Sequence, residues 1–218
     1  MSAPIQLYSL ATPNGQKVSI ALEETGLPYE AHTVDIRDGT QHQDWYHRIN
    51  PNEKIPSIVD PDGPNGQEVT LMESGAILIY LARKADAFLP HEQPQHTNTL
   101  QWLFFQVGHI GPMFGQFGHF FAHGGSECSD PYPLERYTNE TKRLLKVLDE
   151  QLAQHDYIAG DSYTIADMAT FPWIGCLDWG YDAWQYLDVS AHQHVVSWHE
   201  RCTSREAAQR GASVCPIE

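Results

Sequence analysis

One stretch limits the possible folds of this chain more than any other: a proline just ahead of a short apolar run, a turn, a second apolar run, and a serine where a helix starts. It reads Asn50-Pro51-Asn52-Glu53-Lys54-Ile55-Pro56-Ser57-Ile58-Val59-Asp60, then Pro61-Asp62-Gly63-Pro64-Asn65-Gly66, then Val69-Thr70-Leu71-Met72-Glu73-Ser74-Gly75-Ala76-Ile77. The runs from Ser57 to Val59 and from Val69 to Met72 flank a turn-rich segment, which predicts a β-hairpin. A helix follows at once, with Ser74 suited to its N-cap and Ile77, Leu78, Tyr80 and Leu81 supplying an apolar face at helical spacing.

Two features of this stretch suit recognition. A cis bond between Ile55 and Pro56 would turn the Ile55 amide and carbonyl outward, ready to pair with an extended peptide. About 10–15 Å away by strand geometry, the free N–H groups of the helix at Ser74, with the serine hydroxyl, make an anion site. A small peptide with a carboxylate at one end fits both. The plain alternatives are an ordinary trans proline and an ordinary cap.

The first third supplies the frame. Ile5 to Tyr8 reads as a strand; Thr12 caps a helix, Pro13 takes its first position, Val18, Ala21 and Leu22 continue it, and Gly26 stops it. A second strand runs from Tyr29 to about Asp35, and the segment from Asp38 to Tyr46 is polar and loop-like. The order β-α-β-β-α suggests a mixed four-strand sheet with helices packed on it. At the first helix start, the Thr12 hydroxyl and the Asn14 amide can donate hydrogen bonds, and the helix dipole favours an anion. A free thiol has a pKa of about 8.5, and one unit corresponds to about 1.4 kcal/mol, so one or two such bonds suffice to favour a thiolate near neutrality. Equally, Thr12 can serve only as a cap and Asn14 only as a turn residue.

Lys54-Ile55-Pro56 before the hairpin and Glu73-Ser74-Gly75-Ala76-Ile77 after it resemble the glutathione-binding half of cytosolic glutathione transferases. The run Thr12-Pro13-Asn14-Gly15-x-Lys17 is similar to the nu-class group, the disulfide-bond oxidoreductases. The resemblance implies an α/β thioredoxin-like N-terminal domain followed by an all-α C-terminal domain, assembled as a homodimer. It implies a cis Pro56, pairing of Ile55 with the cysteinyl backbone of glutathione, and a γ-glutamyl end held by Glu73 and Ser74. Thr12 and Asn14 then face the sulfur as the catalytic pair, with Tyr8 and Ser9 as rivals. By the same resemblance Gln41 is a glutathione ligand, Lys54 attracts the glycyl carboxylate, and Arg136 contacts glutathione. The absence of cysteine at this helix start argues against the omega and glutaredoxin-like pattern.

Domain limits of 1–87 and 98–218 are expected, joined by a proline-bearing linker over 88–97. The aromatic-rich run Thr99 to Val107 reads as a helix that bends at Gly108 to Pro112 and continues through Gln116; its apolar residues exceed what one face can bury. A long helix follows from Tyr132 through Leu152, and another from Val195 to Arg201. Thr164-Ile165-Ala166-Asp167 is a capping box, with Tyr163 and Met168 placed as a hydrophobic staple. Thr164→Ala should cost about 1 kcal/mol in chemical denaturation and leave glutathione binding intact.

The charge of −15, from 28 acidic and 13 basic residues, opposes binding to phosphate backbones and anionic membranes. No early apolar run reaches the length of a signal core or a membrane span, so a cytoplasmic setting is expected. Cys128, Cys176, Cys202 and Cys215 show no C-x-x-C spacing and read as reduced bystanders, Cys215 in a mobile tail. Twelve histidines include His119 and His123 at i, i+4, and His192 and His194, but no ligand set is complete, so no metal is expected. The expected activity is glutathione-dependent reduction of a small disulfide, with glutathione as bound thiol or disulfide substrate. Two alternatives stand beside it: conjugation of glutathione to electrophiles in detoxification, using an apolar pocket near Phe114 and Phe117, and a non-catalytic glutathione-binding regulatory protein.

Overall fold

The computed structural model describes residues 3–124 and 128–217. The chain forms two compact units, Met1–Leu89 together with Arg205–Glu218, and Pro90–Ser204.

The first unit is built on a four-stranded sheet of order β2-β1-β3-β4. Strand β1 (Ile5–Ser9) pairs parallel with β2 (Tyr29–Thr33) and antiparallel with β3 (Ser57–Asp60), which pairs antiparallel with β4 (Val69–Met72). Alternation along β1 buries Ile5, Leu7 and Ser9, and Leu7 lies opposite Ile58, itself opposite Leu71. Helices α1 (Pro13–Thr25) and α3 (Ser74–Ala85) pack on each other and bury Val18, Leu22, Ile77 and Leu81 completely. The expected hairpin and mixed sheet are both present. Thr12 caps α1 by accepting the Gly15 amide at 3.3 Å, and Gly26 ends it in the left-handed conformation.

Three expectations change. Residues 40–49 are not a plain loop: a 3-10 turn at Thr40–His42 leads into helix α2 (Asp44–Ile49). Asp44 in its first turn and His47 and Arg48 in its last complement the dipole, and Tyr46 is fully buried. The cap of α3 is Glu73, not Ser74, which is the first helical residue. Cys215 is not in a mobile tail: it is 6% exposed, and its carbonyl accepts the Ala11 amide at 2.8 Å. Helix α9 (Glu206–Ala212) carries it there by packing along α1. Gly211 makes that approach possible, because a β-carbon on it would lie 2.5 Å from the Ile20 α-carbon.

The second unit is helical. Helix α4 (Gln95–Phe105) and α5 (Gly111–Gly118) run through a π-helical turn at Gln106–Ile110, and a second such turn follows at His119–His123. The bend expected near Gly108 to Pro112 is this widened turn, which frees the backbone ahead of Pro112. Phe114 and Phe117 are fully buried while Phe104 is 63% exposed. Helix α6 (Tyr132–Leu152) buries Leu144, Leu145 and Leu148. Helix α7 (Ile165–Trp179) is buried from Ile165 to Leu177 and carries the expected capping box, and α8 (Gln193–Thr203) contributes Trp198. No helix among the described residues is long and apolar enough to cross a membrane.

Candidate functional site

The Ile55–Pro56 peptide bond is cis. Its surroundings explain how the chain is held there. The Tyr46 hydroxyl and the Asn50 side-chain amide each donate to the Lys54 carbonyl at 2.6 Å, and both also reach the Ser57 hydroxyl, at 3.2 and 3.0 Å. Asn50 and Ser57 are buried, so these bonds are made away from water. The Lys54 carbonyl is thus satisfied inside, and its side chain is exposed. Strand β3 pairs only from Ser57 onward, and among the described residues the Ile55 amide and carbonyl make no hydrogen bond. A backbone donor and acceptor without partners thus stand just ahead of β3, an interior strand of the sheet, and such a pair can take up an extended peptide.

At the start of α1, Gly15 is required by sterics: a β-carbon there would lie 1.9 Å from the Leu10 carbonyl oxygen. The loop therefore folds tightly onto the helix, with the Thr12 amide donating to the Leu10 carbonyl at 2.7 Å. Because the Thr12 oxygen accepts from Gly15, its own O–H proton is left to point elsewhere. Thr12 and Asn14 are half-buried at this helix start. The rivals are placed differently. The Tyr8 ring stacks on His32 at 4.8 Å and leans on Trp45 and Tyr46, and burial together with Glu68 pushes its hydroxyl pKa up. Ser9 is 2% exposed and donates to the Leu10 carbonyl at 3.4 Å.

Glu73 has φ 70° and ψ 109°, a left-handed conformation that costs an acidic residue energy and is typical of strained functional positions. It sets Ser74 at the head of α3, and the Ser74 oxygen accepts a hydrogen bond from the Lys17 ammonium at 3.3 Å. Lys17 closes the motif Thr12-Pro13-Asn14-Gly15-x-Lys17, which by itself assigns it no role. It is 2% exposed, and burial pushes its pKa down to about 7, opposed by the Glu73 carboxylate. Its signal was present in the pattern, since Lys17 falls between buried positions of α1 where an apolar residue belongs.

Gln41 lies in the 3-10 turn, with its amide nitrogen donating to the Ile36 carbonyl at 3.3 Å and meeting the His42 ring at 3.0 Å. Its side-chain oxygen is shielded from solvent and has no donor among the described residues. His42 and His47 contact the two carboxylate oxygens of Glu53 at 2.6 and 2.9 Å, tying the turn and α2 to the residue before Lys54. Thr12, Asn14, Gln41, Lys54, Ile55, Pro56, Glu73 and Ser74 therefore all belong to the first unit. Arg136 belongs to the second. It lies exposed near the start of α6 and lines a cavity of about 530 Å³ with Tyr132, Glu135, Tyr137 and Arg143. Glu140 in the same cavity is engaged by Arg143 through two contacts of 2.8 Å. No cluster of three or more metal-ligating side chains exists among the described residues. Phe114 and Phe117, near which an apolar pocket is expected, are both fully buried.

Comparison with known proteins bears on these elements. The glutathione S-transferase N-terminal domain profile matches residues 11–84, and the C-terminal domain profile matches residues 112–206. The disulfide-bond oxidoreductase YghU of Escherichia coli is 45% identical over 219 residues, covering 97% of this chain and 75% of that relative. A crystal structure of a glutathione transferase family member from Pseudomonas fluorescens, with two glutathione molecules bound, superposes with a TM-score of 0.94 at 50% identity, covering 96% of this chain and 92% of that one. A glutathione transferase from Pseudomonas putida, with one glutathione disulfide bound per subunit, has the same TM-score of 0.94 at 46% identity, covering 96% of this chain and 91% of that one.

Proposed function

Since the chain belongs to the glutathione transferase family, we propose that it reduces small disulfides with glutathione, using the sulfur of the bound tripeptide and none of its own. The observation that carries this reading is the pairing of an open backbone at the cis Ile55–Pro56 bond with a helix start that bears Thr12 and Asn14 and no cysteine. In this reading Ile55 pairs with the cysteinyl backbone of glutathione. Ser74 and the head of α3 take the γ-glutamyl carboxylate, and Glu73 takes its ammonium. The shielded acceptor of Gln41 receives a donor from the ligand, Lys54 attracts the glycyl carboxylate, and Arg136 supplies a further cationic contact. Thr12 and Asn14 donate to the sulfur and hold it as the thiolate.

The chemistry is two exchanges. The glutathione thiolate attacks one sulfur of the substrate disulfide, forming a mixed disulfide and expelling a thiolate that takes up a proton. A second glutathione thiolate attacks the glutathione sulfur of that mixed disulfide, giving glutathione disulfide and releasing the other substrate thiol. Two electrons pass from two glutathiones to one disulfide. Support comes from the two glutathione molecules in the P. fluorescens relative and the glutathione disulfide in that of P. putida, which correspond to the two ends of this sequence. The homodimer and a reducing, cytoplasmic setting belong to the same proposal.

Parallel assays with a model disulfide and a model aryl halide test it. Turnover of the disulfide is expected, and turnover of the halide alone would replace this reading with conjugation. Silence in both, with glutathione still bound, would favour a regulatory binding protein. Replacing Cys128, Cys176, Cys202 and Cys215 together should leave disulfide turnover within about twofold of the parent, since the buried ones, such as Cys176 with its pKa pushed up to about 12, are poor nucleophiles. Abolished turnover in a folded cysteine-free protein would show that a protein sulfur takes part.

A further inference from the structure

The loop that carries Thr12 is held from an unexpected direction. Its Ala11 amide donates to the carbonyl of Cys215 at 2.8 Å, a bond between residues at opposite ends of the sequence. The segment that delivers this carbonyl is fastened along the C-terminal half of α1. Arg205 forms two contacts with Glu24, at 2.5 and 2.7 Å, and Arg210 meets Glu23 at 2.7 Å. The Ser19 hydroxyl donates to the Gly211 carbonyl at 2.7 Å, inside the packed contact with Ile20. Cys215 itself has φ 51°, a left-handed conformation that an ordinary side chain tolerates only when its surroundings hold it, and its side chain is buried. The other ties of this loop are to its sequence neighbours: the Thr12 amide and the Ser9 hydroxyl donate to the Leu10 carbonyl at 2.7 and 3.4 Å, the Thr12 carbonyl and hydroxyl accept the Gln16 and Gly15 amides at 2.9 and 3.3 Å, and the Gln16 side-chain amide donates to the Ala11 carbonyl at 3.4 Å.

We infer that the segment Arg205–Cys215 is a positioning strap, which sets the Leu10–Thr12 loop so that the Thr12 hydroxyl and the α1 start are aimed at the sulfur of bound glutathione. The inference rests on the proposed function. The strap reaches the loop through the backbone bond from Ala11 to Cys215. A hydrogen bond to a thiolate depends steeply on distance and angle, so a loop displaced by a fraction of an ångström loses thiolate stabilisation while glutathione keeps its contacts at Ile55, Glu73 and Ser74. The expected signature is a thiol that binds nearly as well but ionises less.

The test measures the pKa of the bound thiol from the ultraviolet absorbance of the thiolate, along with KM, kcat and melting temperature, at a temperature well below unfolding. Two variants loosen the strap. Gly211→Ala wedges a methyl group against Ile20, and truncation after Val214 removes the accepting carbonyl. Each should raise the bound-thiol pKa by about one unit, about tenfold less thiolate at neutral pH, with kcat falling in proportion and KM changing less than threefold. Cys215→Ala keeps the carbonyl and should leave the thiol pKa unchanged. Should the truncated chain fail to fold, Gly211→Ala and the milder Ser19→Ala, which deletes the bond to Gly211, carry the test alone. Folded variants with a lower melting temperature but a parental thiol pKa and kcat would show a merely structural role and overturn the inference. A wild-type protein that binds no glutathione would instead overturn the function on which it rests.

Discussion

Lys17→Met should make the protein more stable than the wild type below about pH 7 and weaken its grip on glutathione in the same range. The folded-state pKa of Lys17 is pushed down to about 7 by burial, whereas the unfolded chain holds this proton up to about 10.4. Below pH 7 both states are protonated, and the full cost of burying an ammonium is present in the wild type. Between the two pKa values only the unfolded state binds the proton, so wild-type stability rises relative to the variant by roughly 1.4 kcal/mol per pH unit. Urea denaturation at pH 6, 8 and 9.5 should therefore show the advantage of the variant shrinking step by step. Ligand affinity runs the other way. In the proposed binding mode a charged Lys17 beside the Ser74 oxygen attracts the γ-glutamyl carboxylate, so binding of S-methylglutathione, which has no titrating thiol, should weaken as the pH rises through about 7. The variant should bind about tenfold more weakly at pH 6, equivalent to about 1.4 kcal/mol, with a flat profile. Glu73 is a charged group that acts on Lys17, while Glu23 and Glu24 farther along α1 are engaged by Arg210 and Arg205. A pH slope that survives in the variant would show that Lys17 is not the group responsible.

Asp167→Ala is expected to have the largest effect on stability. The carboxylate is fully buried and accepts four hydrogen bonds: from the amides of Ile158 at 3.0 Å and Thr164 at 2.9 Å, from the Thr164 hydroxyl at 3.2 Å, and from the Trp198 indole at 2.9 Å. It joins the cap of α7, the segment before it and α8, so it closes the second unit as well as one helix. Removing it strands several buried donors, for an expected loss of about 4 kcal/mol. Native domains hold only about 5–15 kcal/mol, so a large drop in melting temperature should follow. Thr164→Ala, at about 1 kcal/mol, removes one acceptor and leaves the carboxylate in place. The ratio of the two losses by denaturant titration checks the assignment, and equal losses would place the effect in the helix cap alone.

Much of the first unit was legible because its signals are local. Thr12, Pro13 and Gly26 bound α1 through backbone chemistry within a few residues, and the runs on either side of Asp62-Gly63 declare a hairpin by composition. Thr164 and Asp167 announce their cap in the same way. The polar segment at Asp38 to Tyr46 was misread because α2 is a short helix held by one buried side chain, Tyr46, whose partner at Lys54 is not local in an amphipathic pattern. Ser74 has the chemistry of a cap, but the positive φ of Glu73, sustained by the surrounding fold, moves the helix start by one residue.

From the order of residues came the four strands and the helices α1 and α3 of the first unit, a proline ahead of the hairpin whose cis form the family resemblance implies, and a helix start that offers oxygen and amide donors but no sulfur. These depend on covalent neighbours, and neighbours are written in the chain. Tertiary structure alone decided that Lys17, 57 residues from Ser74, places its ammonium against that hydroxyl. It alone brought Gly211 to Ser19 across 192 residues and the Cys215 carbonyl to Ala11. A buried charge and a distant backbone bond acquire their meaning only when packing excludes water and selects the partner, and no window of sequence contains both halves of such a pair.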